Sequence, residues 1–246
     1  MKKINYNFKN NLHLVNLCDG KANTIDYFFI NEFENIINDI DHSVPLIITG
    51  NNKYFSTGLD LHQVNRMNKN ELLEFIINFE KLLMSILKFK SPTISLINGH
   101  AIAGGFILIC ATDLRYIFKC DSLFGIGKNK IGFSLPPLAY AIMKLKLKSN
   151  YQNIMIGKKL YNMHNFKPIN FFKKIHDLDN YQNIIKKLLD NNKTIINKKN
   201  ETYLSINQFY RSNYKNLMNE FITSWFKPKT IENRLNLENK ITKTSK

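Results

Sequence analysis

The chain is short of several things, and each shortage removes a class of protein. Cysteine is limited to Cys18, Cys110 and Cys120. Odd in number and far apart, these three give no disulfide framework and no metal-ligand spacing, which favours a reducing compartment. Arginine is scarce: Arg66, Arg115, Arg211 and Arg234 stand against thirty-one lysines. The formal net charge of +16 invites a nucleic-acid reading, yet the usual base-reading residue is the rare one and no nucleic-acid motif is visible. The lysines run together with asparagine and isoleucine, as in residues 191–200. Codons for all three are rich in A and T, so the charge reads as compositional drift that can still attract an anionic ligand or an acidic partner protein. Long apolar runs are also missing. The longest, Ala101 to Ala111, falls well short of the ~20 residues that cross a bilayer. The opening MKKINYNFKNN has basic residues with no apolar stretch behind them and is not a signal peptide. The closing Thr244-Ser245-Lys246 is not a peroxisomal address. No nucleic-acid partner, no membrane and a cytoplasmic location are expected.

What is present is globular. Of 246 residues, 44% are hydrophobic and 22% charged, which excludes wholesale disorder. A chain of this size buries roughly 70–75% of its unfolded surface without staples. Ile4 to Phe8 and Leu12 to Leu17 alternate around Lys9-Asn10-Asn11 and predict an opening hairpin. Asp19-Gly20-Lys21 is a turn, with Asn23 or Thr24 expected to cap a helix carrying Ile25, Phe28, Phe29, Phe33, Ile36, Ile37 and Ile40. Val44 to Thr49 reads as a buried strand and Leu72 to Leu87 as a long helix. Thr93 to Ile97 is the next strand, Ala103 to Ala111 a buried helix, and Leu114 to Phe118 another strand. Strand–helix–strand alternation implies an α/β core with a largely parallel sheet. Beyond about Tyr140 the pattern changes to helical spacing, in Ile184 to Ile196 and Tyr203 to Trp225. The division expected is a core over 1–185 and a helical region over 186–246.

Two segments carry chemistry. In the first, Lys53 to Leu61, a strand ends, Gly58 permits a sharp turn, and Asp60 can start a short helix by accepting its unpaired N–H groups. That leaves the Leu59 N–H free to point into a cleft, although taken alone the segment reads first as a plain capped turn. In the second, Asn98 to Leu108, a strand feeds a loop whose Gly104 and Gly105 open an apolar helix. Glycines there remove side chains where a ligand approaches the backbone, and the Gly104 N–H sits at the positive helix end, a donor suited to an oxyanion. Close helix–sheet packing is the bland alternative. The G-x-G-x-x-G spacing of a dinucleotide fold is absent.

Together, in their order and separation, the two segments resemble the crotonase superfamily of enoyl-CoA hydratases and isomerases. The features in common are Gly20 to Asn23, Thr49-Gly50, Phe55 to Asp60, Pro92 to Asp113 and the downstream Phe124 to Phe133. The resemblance is good from about residue 12 to 145 and weak afterwards except around Ser224-Trp225-Phe226. It implies a repeated ββα spiral core with a C-terminal helical trimerisation region, assembled as a homotrimer or a dimer of trimers. It also implies a thioester substrate on coenzyme A or on an acyl carrier protein, with coenzyme A entering as part of the substrate and no separate cofactor or metal. Carried over by position, Leu59 and Gly104 are the oxyanion-hole donors. Lys21, Ala22, Lys53, Gly58, Asp60, Gly105, Ile107 and Ser134 fall where such proteins bind substrate, Lys21 and Lys53 on the side of the nucleotide.

The acid–base groups depart from that pattern. The two positions that carry glutamate in many relatives hold Ile107 and Lys128, and no carboxylate occurs between Asp121 and Asp177. Isoleucine moves no proton. Lysine does so if burial lowers its pKa, and otherwise makes a phosphate or carboxylate contact. Lys128 and His62, the latter just past the first donor segment, are the candidate proton carriers; a surface position is the plain alternative for His62, and Lys130 is a further phosphate-contact candidate. Three readings follow. The first is an acyl-CoA enzyme of the enoyl-CoA hydratase/isomerase type. The second is a crotonase-fold decarboxylase or dehydratase acting on carrier-protein-bound acyl groups of the polyketide type, since decarboxylation gives the enolate without removing a carbon-bound proton. The third is a non-catalytic binding subunit.

Overall fold

The computed structural model describes residues 2–118, 121–127, 132–156, 160–166, 171–175, 185 and 192–244. Strands β1 (Ile4–Lys9) and β2 (Leu12–Leu17) pair antiparallel, Lys9 opposite Leu12. Asn10 and Asn11 between them both take positive φ, 53° and 57°. Two such residues in succession twist the turn in the sense the strands require, and asparagine tolerates that region better than most side chains. Beside β2, in parallel, lie β4 (Leu46–Thr49), β7 (Thr93–Ile97), β9 (Leu114–Ile117) and β11 (Lys173–Lys174). The sequences LIIT and TISLI are nearly wholly buried. Strands covered on both faces favour continuous apolar runs; β4 shows one and was legible as a buried strand, whereas β7 buries Thr93 and Ser95 among its apolar residues.

A second, smaller parallel sheet runs β10 (Phe124–Gly125), β8 (His100–Ile102), β5 (Tyr54–Ser56), and β3 (Thr24–Ile25) pairs separately with β6 (Gly58–Leu59). Three successive turns of the chain therefore lay one strand in the large sheet and one in the small, then a helix or helix pair. β4 and β5 precede α2 (Leu61–Val64) and α3 (Lys69–Lys88), β7 and β8 precede α4 (Gly104–Ala111), and β9 and β10 precede α5 (Pro137–Leu147). This is a ββα repeat.

The first helix, α1 (Tyr27–Asp39), starts later than the sequence suggests. Its cap is Asp26, whose carboxylate accepts the Phe29 N–H at 2.8 Å. Asn23 instead is buried, donating its amide to the carbonyls of Leu17, Tyr54 and Phe55. Ile25 is claimed by pairing with Leu59. After α6 (Tyr151–Ile156), two long helices follow, α7 (Asn192–Trp225) and α8 (Pro228–Thr244). The helix expected from Tyr203 and the end of the one expected at 184–196 form the single helix α7, and α8 lies within the helical region expected over 186–246 although no apolar spacing marked it separately. The C-terminal helices dock on the repeat through buried polar links. Tyr210 bonds Glu80 of α3, Lys199 pairs with Asp113, and Ser224 accepts the Ser134 N–H. Among the described residues no helix is long and apolar enough to cross a membrane.

Candidate functional site

The chain leaves the small sheet at Ser56 and turns at Gly58 into β6. Gly58 has φ +89°, and a Cβ there would come within 2.6 Å of the Gly104 nitrogen. A side chain fits neither the dihedral nor the space, so glycine lets β6 and the start of α4 lie edge to edge. Seen from the other side, a Cβ on Gly104 would lie 3.5 Å from the Leu59 nitrogen. Gly105 closes the junction: its Cβ would sit 2.1 Å from the Ser56 carbonyl oxygen.

Backbone pairing around this seam fixes which edge of β6 each of its amides faces. Ile25 pairs with Leu59, and the Asp60 N–H donates to the Ile25 carbonyl at 2.9 Å. Amides alternate between the two edges of a strand, so the Leu59 N–H faces away from β3, toward α4. Gly104 is the first residue of α4 and its N–H has no acceptor within the helix. Every residue of α4 is buried, which leaves the positive end of its dipole in a low-dielectric setting. Just before it, Ala103 holds φ 50° and ψ −115°, a conformation that costs a non-glycine residue about 1–3 kcal/mol. Two backbone bonds hold it there, Ala103 N–H to Gly125 O at 2.8 Å and Ile107 N–H to Ala103 O at 3.0 Å.

The structure gathers the substrate-side residues unevenly. Lys21 and Lys53 are exposed and share one rim, because Asn51 donates to the Lys21 carbonyl and accepts the Lys53 N–H. Ala22 accepts the Thr57 N–H at 3.1 Å, tying that rim to the donor strand. Asp60 caps α2 by accepting the Gln63 N–H and also takes the Thr24 hydroxyl. Ile107 is buried in α4 at 5% exposure and presents no polar atom beyond its backbone. Ser134 is held by Ser224, while neighbouring Phe133 packs 4.7 Å from the Trp225 ring. Lys128 and Lys130 lie outside the described residues.

His62 has a partner that the sequence reading missed. Its Nδ1 is 2.7 Å from Oε1 of Glu238, on α8, and its side chain is 57% exposed. Arg66 reaches the same oxygen at 3.1 Å, and Asn65 donates to the other at 2.6 Å. Burial pushes the Glu238 carboxyl upward, but the hydrogen bonds from Asn65 and Arg66 and the nearby cationic groups outweigh it and hold the pKa below the usual range. With 172 positions between Arg66 and Glu238, no local pattern announces this cluster.

Glu80 was also missed, although its signal was present. It interrupts the apolar face of α3 between Ile76 and Leu83, at helical spacing from both. Its carboxylate accepts the Leu138 N–H at the start of α5, 2.7 Å, and the Tyr210 hydroxyl, 3.1 Å. Burial pushes its pKa up to about 7, against the opposing pull of those two hydrogen bonds.

Comparison with known proteins agrees with this architecture. The profile described as enoyl-CoA hydratase/isomerase matches residues 7–150. Enoyl-CoA delta isomerase 2, peroxisomal, of Arabidopsis thaliana is 29% identical over 123 residues, 47% of this chain and 51% of that protein. The chain spans about half the length of the curated relatives it matches. Among solved structures, human mitochondrial delta3-delta2-enoyl-CoA isomerase superposes with a TM-score of 0.85 over 100% of both chains at 13% identity. Enoyl-CoA hydratase from Bacillus halodurans gives 0.82 over 96% of this chain and 100% of that one at 17% identity. These likenesses establish the crotonase fold. With its profile match covering more than half the residues, the chain belongs to the enoyl-CoA hydratase/isomerase family.

Proposed function

We propose that the protein is an acyl-CoA enzyme of the enoyl-CoA hydratase/isomerase type, holding a thioester enolate between the N–H groups of Leu59 and Gly104. The observation that carries this reading is the seam itself, where the missing Cβ of Gly58 would stand 2.6 Å from the Gly104 nitrogen. Removing or adding an α-proton of a thioester puts negative charge on its carbonyl oxygen. Two fixed donors outside bulk water stabilise that charge, and losing one typically costs about 3–4 kcal/mol in barrier. The donors are backbone groups, so Leu59 needs no special side chain.

Buried Ile107 favours a second reading, in which the enolate arises by decarboxylation and needs no base at that wall. A carrier-protein thioester is then an alternative to coenzyme A, and the lysine-rich surface suits an acidic carrier.

Gly104→Pro deletes one donor at the first position of α4, where no helix hydrogen bond is lost; because a side chain there meets Gly58 and Ile25 at 3.1 Å, circular dichroism and thermal melting first establish that the variant is folded. The wild type and this variant are to be assayed on enoyl-CoA, malonyl- or glutaconyl-type thioesters and carrier-linked equivalents. Turnover of one class, reduced about 100-fold or more in the variant, is expected. Equal turnover in both proteins would remove the Gly104 amide from the reaction. Tight thioester binding without turnover of any substrate would leave a binding subunit in place of an enzyme.

A further inference from the structure

The end of α4 opposite the proposed oxyanion site is surrounded by cations. Arg115 donates through Nη1 to the Thr112 carbonyl at 2.6 Å, through Nη2 to the Asp113 carbonyl at 3.2 Å, and through Nε to the Phe171 carbonyl at 3.0 Å. Lys146, from α5, reaches the same Thr112 carbonyl at 3.3 Å. Lys199, from α7, pairs with Asp113 at 2.7 Å and donates to the Ser91 carbonyl. The Cys110 thiol, pushed up to about 12 by burial, stays neutral. Asp113 is thus one carboxylate among three cationic side chains, and the cluster carries a surplus of positive charge.

That surplus sits beneath a helix with no charged side chain and no exposed residue. A cation at a helix C-terminus offsets the negative pole of the dipole, so the positive pole acts on its ligand with less cancellation. Eight residues span roughly 12 Å. Across that distance, at an effective dielectric of about 20, one charge alters an ionisation equilibrium about tenfold.

We infer that Arg115 and Lys146 are positioning residues that act through α4, fixing the Thr112 and Asp113 carbonyls that close its C-terminal end and raising the positive potential at the Gly104 amide where the enolate oxygen is held. This rests on the thioester reading above. It adds a second source of stabilisation, remote from the substrate, and it makes the strength of the site depend on pH. Lys146 loses its proton easily, its pKa brought down to about 8 by burial first and by Arg115 second, against the pull of Asp113 and Cys110 and with a further downward push from Lys199. As pH rises through that range the surplus charge falls by one and the hold on the enolate weakens.

The test uses acetoacetyl-CoA, a β-keto thioester whose bound enolate absorbs in the near ultraviolet. Ionisation sends its α-proton to the buffer and the C–H electron pair onto the carbonyl oxygen. The apparent pKa of the bound ligand is to be measured in the full chain and in Lys146→Met, Lys146→Arg, Arg115→Met, Arg115→Lys and Lys144→Met. The expected result is an ionisation constant five- to tenfold weaker, on the order of one charge's effect, in each methionine variant at the two positions. Lys146→Arg restores it and abolishes the weakening above pH 8, while Lys144→Met, an exposed charge on the same helix, leaves it unchanged. A purely structural role for the cluster shifts stability and leaves the bound pKa alone. If Arg115→Met does not fold, Lys146→Met and the wild-type pH profile decide. An unchanged pKa in Lys146→Met, with the ligand bound as in wild type, overturns the inference and spares the thioester reading. Failure of the wild type to bind the ligand or its enolate overturns both.

Discussion

At the scale of single residues, the sharpest expectation concerns Glu80. Its carboxyl titrates at about 7 in the folded chain, against about 4.3 for an unperturbed glutamate. The folded state therefore binds this proton more tightly than the unfolded state does. The contribution is fully present below the unfolded value and is lost as pH rises through about 7. The difference corresponds to about 4 kcal/mol at most once the group is ionised on both sides. Glu80→Gln keeps an acceptor for the Leu138 N–H and carries no charge to bury. It should be more stable than wild type at pH 8 by a few kcal/mol, with the advantage shrinking toward pH 5. Denaturant midpoints at the two pH values measure it. A gap that does not change between pH 5 and pH 8 shows that the folded chain does not raise the pKa of Glu80. Ala103 offers a second test at this scale. Ala103→Gly relieves a left-handed φ of 50° and should be neutral or stabilising by up to about 1 kcal/mol, because glycine's extra unfolded freedom offsets part of the gain. Gly105→Ala, whose Cβ meets backbone at 2.1 Å, should in contrast fail to accumulate as folded protein or lose several kcal/mol, about the upper range of single substitutions.

At the scale of elements, legibility followed burial. β4 and α4 are almost wholly buried, and their apolar runs could be read directly; β7 is buried too, although Thr93 and Ser95 interrupt its apolar residues. The hairpin was readable from its alternation and its paired asparagines, and α2 from Asp60. The places where reading stopped have physical causes. Asn23 and Thr24 look like helix caps, but Asn23 is used to bridge three carbonyls from two strands, a long-range demand that local pattern does not show. Helix α8 buries little of itself, and Leu235 and Ile241 remain exposed, so it has no strong apolar stripe to announce it. It is held instead by polar side chains. Glu238 grips His62, Asn65 and Arg66, and Arg234 bonds Asn65 and the Trp225 carbonyl while lying 4.1 Å over the Trp225 ring. The candidate donors were legible because two glycine-bearing segments are local features. Glu238 was not, because the contact exists only after the chain has folded back on α2. Glu238→Gln removes the charge that gathers these groups. The expected outcome is faster hydrogen exchange and proteolysis of α8 at unchanged protection of β4 and β7. Uniform loosening of the whole chain would show instead that α8 is part of the global folding unit.

For the molecule as a whole, the question is what its charge does. A formal +16 creates a long-range field that raises the encounter rate with any anion, and salt screens it over about 8–10 Å at physiological ionic strength. Such a field does not itself choose a ligand. Choice requires cations placed where the anionic part of a ligand arrives, and the candidates are Lys21 and Lys53, on the rim that Asn51 joins and that Ala22 ties to Thr57. If that rim meets the nucleotide of coenzyme A, removing a lysine there weakens binding only for substrates that have the nucleotide. Each exposed contact is worth about 0.2–1 kcal/mol, so Lys21→Met and Lys53→Met should each raise KM for a coenzyme A thioester up to about fivefold with little change in kcat. The matching pantetheine thioester, which has the same acyl group and no nucleotide, should be indifferent to both substitutions. Raising salt should narrow the difference between wild type and the variants on coenzyme A thioesters, because these lysines are exposed. Equal losses on both substrates would mean that the rim supports the donor strand and does not read the nucleotide. No loss on either would return Lys21 and Lys53 to the general background of a lysine-rich surface.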